Sequence, residues 1–541
     1  MILESELDNS FEDDYYREGC KDTKDHIFLL NRSEALSFFA SNEARSSQLT
    51  EYAAAKDQGQ KENEWWLRLP GYRGHNKASG IFSTEFIQIG IVKNSGLVRD
   101  YVMSTTAKGI RPAIWVDNTG LSTKGYEVVF GRYEQDNDLT NGPEPIEWIV
   151  LDAQDGKSLL ISKYTLDAKP FHELKNRTYW DSSTLRKWLN SSFFQDTFSK
   201  SEQQAILSTN IDNSKEQGNP AWNTKVGSSN TVDSVFLLSY AEVMAYYNSD
   251  HERQCEPTAY AATKGASVKG GCSLWWTRSA SFRDYLNYAG TVSPEGSTNT
   301  AKNVSSKKGG VRPAIWIDQE KLKFALEKNR LSDELNRATQ EGTTVTFGQY
   351  EQDNDTENGA EPIEWILLEA KGNKYLLLSK YILDWKQFVE SDKYYTWEVS
   401  TLRSWLNQDF IETAFGDIEK KLISKNYVDN SYGQGIPGVN VYGGGNTSDS
   451  SFILSYAEAQ RFFPTDEDRT CMQTEFAKTQ GVSKEESSRW WLRSPGTAAS
   501  KTKQNGVCAV NSNGSIGTFF AGTTMQGVRP SIWIDLDAVF K

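Results

Sequence analysis

Phe130-Gly131-Arg132-Tyr133-Glu134-Gln135-Asp136-Asn137-Asp138, leading into Glu144-Pro145-Ile146-Glu147-Trp148, returns as Phe347-Gly348-Gln349-Tyr350-Glu351-Gln352-Asp353-Asn354-Asp355 and Glu361-Pro362-Ile363-Glu364-Trp365. The offset is 217 residues. The same offset relates Ser183-Thr184-Leu185-Arg186-Lys187-Trp188-Leu189-Asn190 to Ser400-Thr401-Leu402-Arg403-Ser404-Trp405-Leu406-Asn407. It returns once more where Gly310-Val311-Arg312-Pro313-Ala314-Ile315-Trp316-Ile317-Asp318 matches Gly527-Val528-Arg529-Pro530-Ser531-Ile532-Trp533-Ile534-Asp535. A repeat has to be found before a fold is judged, and an offset this long means whole domains copied in tandem.

A third copy lies at the start, reduced to its back half. Ile27-Phe28-Leu29-Leu30 parallels Val235-Phe236-Leu237-Leu238 and Phe452-Ile453-Leu454. Trp65-Trp66-Leu67-Arg68 parallels Trp275-Trp276-Thr277-Arg278 and Trp490-Trp491-Leu492-Arg493, and Gly109-Ile110-Arg111-Pro112 closes the unit. The expected organisation is an incomplete first repeat over 1–118, a complete second over 125–318, a helical linker over 319–342 and a complete third over 343–541. A domain without its first strands leaves apolar surface uncovered, so either upstream residues are lacking or the first copy leans on a neighbour.

The chain has 541 residues, 59 Lys and Arg against 72 Asp and Glu, and a formal charge of −13. That length accommodates three or four domains. The acidic balance, with no basic cluster, argues against a nucleic-acid partner, because phosphate neutralisation needs a Lys/Arg surface. No apolar run approaches the ~20 residues of a membrane-crossing helix, so no membrane insertion is expected. Residues 1–20 lack the charged and apolar regions of a signal peptide, but localisation stays open because the truncated first copy leaves room for upstream residues. Five cysteines are too sparse for a disulfide framework. Aromatic residues reach 12%, with 17 Trp, which points to sheet.

Within each full copy, residues 128–133, 146–152 and 158–164 read as an antiparallel meander of β-branched, aromatic and leucine runs. Ser182 or Ser183 caps a helix whose stripe is Leu185, Trp188 and Leu189, a second helix is expected over 203–207, and Ser239 caps a third over 240–247. The Trp-Trp-x-Arg run, a hairpin such as 507–510 turning at Asn513-Gly514, and the closing Ile-Trp-Ile complete an α+β domain of mainly antiparallel sheet with two or three short helices. Leu322, Leu326, Leu331 and Leu335 make 319–337 a helix.

The chemistry is narrowed mostly by exclusion. Histidines occur only at 26, 75, 172 and 251, so the third repeat has none and a shared reaction cannot need imidazole. Cys255 and Cys471 are equivalent, yet the matching first-repeat residue is Ser47, so a required thiol is excluded and buried free thiols are expected. Gly433-x-Gly435-x-x-Gly438 carries Pro437 inside it and no helix after it, which removes the dinucleotide reading, and no cofactor motif remains. The acidic turn containing Asp136, Asp138, Asp353 and Asp355 is dense enough to hold calcium, but its spacing is not that of an EF-hand, and a solvated hairpin loop is the favoured account.

The tryptophan runs carry the candidate ligand-binding residues: Trp65, Trp66, Arg68, Trp275, Trp276, Arg278, Trp490, Trp491 and Arg493. Adjacent strand residues face opposite ways, so one indole of each pair enters the core and the other meets solvent, a partner or a second layer. Beside an arginine, an exposed indole would stack on a sugar ring, though shared packing is the favoured account of three copies with one wording. Arg111, Arg312 and Arg529 precede proline and are expected to pair with a buried carboxylate such as Glu147 or Glu364. From the Trp pair to this arginine the copies span 45, 36 and 38 residues, which makes this segment the candidate variable binding loop.

The words Glu-Pro-Ile-Glu-Trp, Trp-Trp-Leu-Arg-Ser-Pro-Gly (490–496) and Gly-Val-Arg-Pro-Ala-Ile-Trp resemble a bacterial family of unknown function, DUF6273. A Trp-rich strand, a long loop and a terminal Gly-x-Arg strand are more weakly similar to C-type-lectin-like folds, including the formylglycine-generating-enzyme branch. Such resemblance implies a compact scaffold presenting variable residues, and it transfers no catalytic residue. The reading is therefore a non-catalytic binding module in tandem, presenting loops to a glycan, peptide or protein. The alternative is a metal-assisted enzyme using the carboxylates of the acidic turn.

Overall fold

The computed structural model describes residues 120–222, 227–281, 287–355, 359–390, 396–481, 488–498, 505–522 and 524–540, together with short segments of the first 118 residues. Its contacts divide the chain into two units, one formed by 1–118 with 355–359, the other by 119–354 with 360–541.

In the larger unit each complete copy is built from two sheets. In the second repeat Glu127–Tyr133, Glu144–Gln154, Lys157–Ser162 and Ala314–Asp318 form a four-stranded antiparallel sheet in that order, so the expected meander is present and the chain's closing strand completes it. The other sheet has the order Thr300–Asn303, Tyr288–Val292, Trp275–Ala280, Gly310–Val311, Asp167–Ala168. The third repeat repeats both orders, with Val345–Tyr350, Glu361–Lys371, Lys374–Ser379 and Ser531–Asp535 in one sheet, and Ile516–Phe520, Asn505–Val510, Trp490–Ala498, Met525–Val528 and Asp384–Gln387 in the other. The closing word Gly-Val-Arg-Pro-Ala-Ile-Trp therefore serves both sheets, and the proline, which cannot donate to a ladder, stands at the crossing.

The repeated words have local causes. Gly131 bulges its strand with φ +65°, and a Cβ there would lie 2.7 Å from the Phe198 ring. Its N–H donates to Glu202 Oε1 at 3.0 Å, as Gly348 N–H does to Glu419. Ser183 caps Thr184–Trp188, and Arg186 reaches the fully buried Asp233 at 2.6 Å, which also accepts from Trp180 Nε1. The second helix begins earlier than expected, at Lys200–Ala205, because Ser199 and Glu202 make a capping box. Ser239 and Glu242 make another for Tyr240–Tyr246.

The long helix Gln319–Glu341 is more than a connection. Leu322 belongs to the second repeat's core, while Phe324, Leu331, Leu335 and Ala338 belong to the third's. Its Asn329 donates to Glu202 at 3.0 Å and its Lys328 to the Ala538 carbonyl at 3.2 Å.

In the smaller unit Trp65–Pro70, Gln88–Val92 and Val98–Met103 form an antiparallel sheet, and Phe28, Leu30, Ala35, Trp65 and Leu67 form a small core. Arg68 N–H donates to Leu30 O at 3.0 Å, the counterpart of Arg278 to Leu238 and Arg493 to Leu454. The back half of the fold is thus recognisable there, while Ser47 and the counterpart of the helix cap lie outside the described residues.

Candidate functional site

The tryptophan pairs alternate as strand geometry demands, yet both members are covered. Trp490 and Trp491 fall into different core clusters on the two faces of their sheet, and Trp275, Trp276, Trp490 and Trp491 are all 0% exposed. Of solvent, a partner or a second layer, the outer indole of each complete copy meets a second layer, because each sheet is covered on both sides. Every indole N–H is also satisfied, Trp275 by Arg253 O, Trp276 by Lys169 O, Trp490 by Arg469 O and Trp491 by Lys386 O. In the first unit Trp65 is buried and Trp66 half-buried.

Arg278 and Arg493 are buried as well, and their contacts explain why they recur. Arg278 donates to Leu237 O at 2.8 Å, Asp212 O at 3.1 Å, Asn213 Oδ1 at 3.2 Å and Glu242 Oε1 at 2.7 Å. Arg493 does the same with Ile453 O, Asp429 O, Asn430 Oδ1 and Glu458 Oε1. Each guanidinium ties the root of a loop, at 212–213 or 429–430, to a helix cap. Burial alone would push the Glu458 carboxyl up; Arg493 and the Ser455 cap outweigh it and hold that group below the usual carboxylate range.

Among the described residues, Arg312 and Arg529 do not find the expected carboxylates. Arg312 lies 5.2 Å from the Trp275 ring centroid and donates to Ser162 O, and Arg529 stands 5.2 Å from Trp490 and donates to Ser379 O. Arg111 sits 5.2 Å from Trp65 in the first unit. Glu147 and Glu364 are taken instead by Lys163 and Lys380, at 2.6 and 3.1 Å. The closing word thus encodes an arginine–indole stack in all three copies.

The length-variable segment is mostly hairpin. Val507, Cys508, Ala509 and Val510 are fully buried, and Asn505–Val510 pairs with Ile516–Phe520 around Gly514, as the Asn-Gly signal predicts. Arg469 donates to Gly514 O at 2.9 Å, and Arg253 to Gly296 O at 3.0 Å, so each hairpin tip is pinned. Residues 499–504, where the third repeat carries most of its extra length, lie outside the described residues. Cys255, Cys471 and Cys508 are buried free thiols; burial pushes the Cys508 thiol up to about 12.

In the acidic turn the carboxylates that converge are Glu134, Asp136 and Glu144, with Glu351, Asp353 and Glu361 in the other copy; their nearest oxygens lie within 4.8 Å of one another. Asp138 and Asp355 stand outside these groups. Much of the acceptor capacity is spent on the turn itself. Glu144 Oε2 accepts from Gln135 N at 2.6 Å, Asp136 accepts from Asp138 N at 2.7 Å and Asn141 at 2.8 Å, and Asp138 accepts from Thr140 N at 3.0 Å. The Asp138 N–H bond, then Asn141, holds the Asp136 carboxyl below its usual range, whereas desolvation and the neighbouring carboxylates raise Glu134.

A site that sequence reading passed over lies above the loop roots. The loops running from Asn213 to Asn230, of which 223–226 lie outside the described residues, and from Asn430 to Asn446 are closed alike at their ends: Asn213 N–H donates to Asn230 Oδ1, as Asn430 N–H does to Asn446 Oδ1. Ser279 and Ser494 hydroxyls donate to the carbonyls of Gln217 and Gln434, while Ser239 and Ser455 donate to those glutamines' side-chain oxygens. In the second repeat this loop rims a shallow recess bordered by Tyr179, Ser214, Lys215, Gly218, Ser228 and Ala280. Where the second repeat has Lys215, the third has Tyr432, and Tyr427, Tyr432 and Tyr442 are 72%, 55% and 62% exposed. The available signal was the pairing of a kept frame, Asp-Asn-Ser-x-x-Gln-Gly, with a divergent middle. No helix follows Gly438, in keeping with the rejected dinucleotide fingerprint.

Two-sheet α+β modules in tandem, each framing a loop of changing content, are what the fold and site define. The family model for "Domain of unknown function (DUF6273)" matches residues 1–118, 155–319 and 372–536, and the chain belongs to that family. No curated protein and no solved structure matches it, so the likeness to C-type-lectin-like folds gains no support.

Proposed function

We propose that the two complete repeats are non-catalytic binding modules whose recognition surface is the loop described at 213–222 and 227–230 and its counterpart at 430–446. One observation carries this reading: the two loops are anchored by the same hydrogen bonds and present different chemistry, Lys215 and Glu216 in one and exposed tyrosines in the other. A rigid scaffold with a variable loop is the ordinary physical basis of recognition. Two such faces on one chain would add avidity where a ligand offers both epitopes. The ligand classes in view are a glycan, a peptide or a protein. The test exchanges loop residues 431–445 with 214–229 in the full chain and reads binding on glycan and peptide arrays. Specificity that travels with the loop supports the proposal; specificity that stays with the frame overturns it.

A second reading, metal-assisted chemistry at the acidic turn, is favoured by the recurrence of three convergent carboxylates in both copies. Its check is calcium-dependent melting. A rise in melting temperature that Asp136→Asn with Asp353→Asn abolishes supports it, and indifference to calcium removes it.

A further inference from the structure

From the third repeat's loop we infer that its ligand is an uncharged saccharide, bound across Tyr432, Tyr442 and Tyr427; this rests on the loop being the recognition surface. The chain is 24% charged, yet residues 430–446 contain no Asp, Glu, Lys, Arg or His. The two anionic groups nearest the loop in sequence and contact are already committed. Asp429 accepts from Ser431 N at 2.9 Å and Gln434 at 3.1 Å, and Glu398 accepts from Gly445 N at 2.8 Å. An anionic ligand would find no cation within the loop, and a cationic one no carboxylate within it.

What the loop does offer suits a sugar. The Tyr432 and Tyr442 rings form a tilted pair, with centroids 6.4 Å apart and planes at 55°, and both side chains are exposed. A pyranose has one apolar C–H face and a rim of hydroxyls, so it can cover a phenol ring while its hydroxyls meet amides and phenol oxygens. Exposed Asn440 and Ser431 supply such groups beside the tyrosines. Tyr427 is held by a hydrogen bond from the Asn446 amide, and Asn446 is itself bonded to Asn430 N at 2.7 Å. Ordering of this ring before the ligand arrives lowers the entropy cost of association. Tyrosine, glycine, serine and asparagine together are also the residues that loop paratopes use, rigid contact area from the first and adaptable hydrogen bonding from the others. The second repeat, with Lys215 in place of Tyr432, lacks this face and serves as an internal control.

The experiment applies the full chain to an array of uncharged hexose and N-acetylhexosamine oligomers beside uronate and sialylated ones, with hits measured by calorimetry. The expected result is binding to uncharged oligomers that Tyr432→Ala with Tyr442→Ala weakens by roughly tenfold or more, with an unchanged melting temperature. Tyr432→Phe and Tyr442→Phe keep the stacking face and hold affinity within about threefold. Binding to acidic oligomers alone, uncharged binding that ignores the tyrosines, or no saccharide binding overturns the inference. Tyrosine-dependent binding to arrayed peptides, with none to saccharides, overturns the sugar but leaves the recognition loop standing. Ligand binding that survives alteration of both loops removes both.

Discussion

The roots of the two loops and their outer residues have opposite histories. At the roots, Arg278 and Arg493 make the same set of hydrogen bonds, residue for residue, and the serines and glutamines around them repeat at matching distances. A few residues further on, lysine and glutamate in one copy face tyrosine and glycine in the other. Buried polar groups must be satisfied, so change at the root is costly, whereas an exposed side chain is released from that constraint. Repetition of wording within this chain therefore marks structural necessity, and its loss marks the place where function is free to differ.

The sharpest way to break the comparison is at the guanidinium. Arg493→Met or Arg278→Met should cost about 3 kcal/mol, because the Glu partner and two carbonyls lose their donors. Urea unfolding of the full chain measures it, and a loss under about 1 kcal/mol would show that the root is held otherwise. Acid probes the same contact more gently. The folded Glu458 carboxyl lies below its ordinary value, so its contribution is present above that value and is lost as pH falls through the folded pKa. A melting temperature measured against pH should decline on that acid limb, less steeply in Glu458→Gln. Ser239→Ala and Ser455→Ala, which remove a helix cap and one bond to the loop glutamine, should cost about 1 kcal/mol each by thermal melting. At the outer edge, Lys215→Tyr should change stability by no more than about 0.5 kcal/mol, and a larger loss would mean that the edge is structural too.

Much of the frame was legible because local rules decide it. The meander, the Ser183 and Ser239 caps, the Asn-Gly hairpin and the helix after Asp318 follow from alternation, capping and turn chemistry. The shift of the second helix to Lys200–Ala205 was also local, set by a capping box that the apolar pattern did not reveal. The tryptophan pairs needed the next level, since alternation left solvent, a partner and a second layer all open to the outer indole. Alternation says which face each indole takes, but only tertiary structure says that both faces are covered. Arg312 and Arg529 illustrate the same limit, since a buried cation can be stacked on indole instead of paired with acid, and nothing in their neighbours distinguishes the two. The loop proposed for recognition was missed for a different reason: length variation pointed to a pinned hairpin, while the loop that varies in chemistry scarcely varies in length.

The helix Gln319–Glu341 has a consequence for how such a chain can be handled. Since it lends leucines to one core and a phenylalanine, leucines and an alanine to the next, cutting at residue 343 would strip the last module of part of its own interior. A recombinant fragment beginning at 319 keeps that interior. Heat should melt the middle and final modules in a single transition, each acting as the other's clamp.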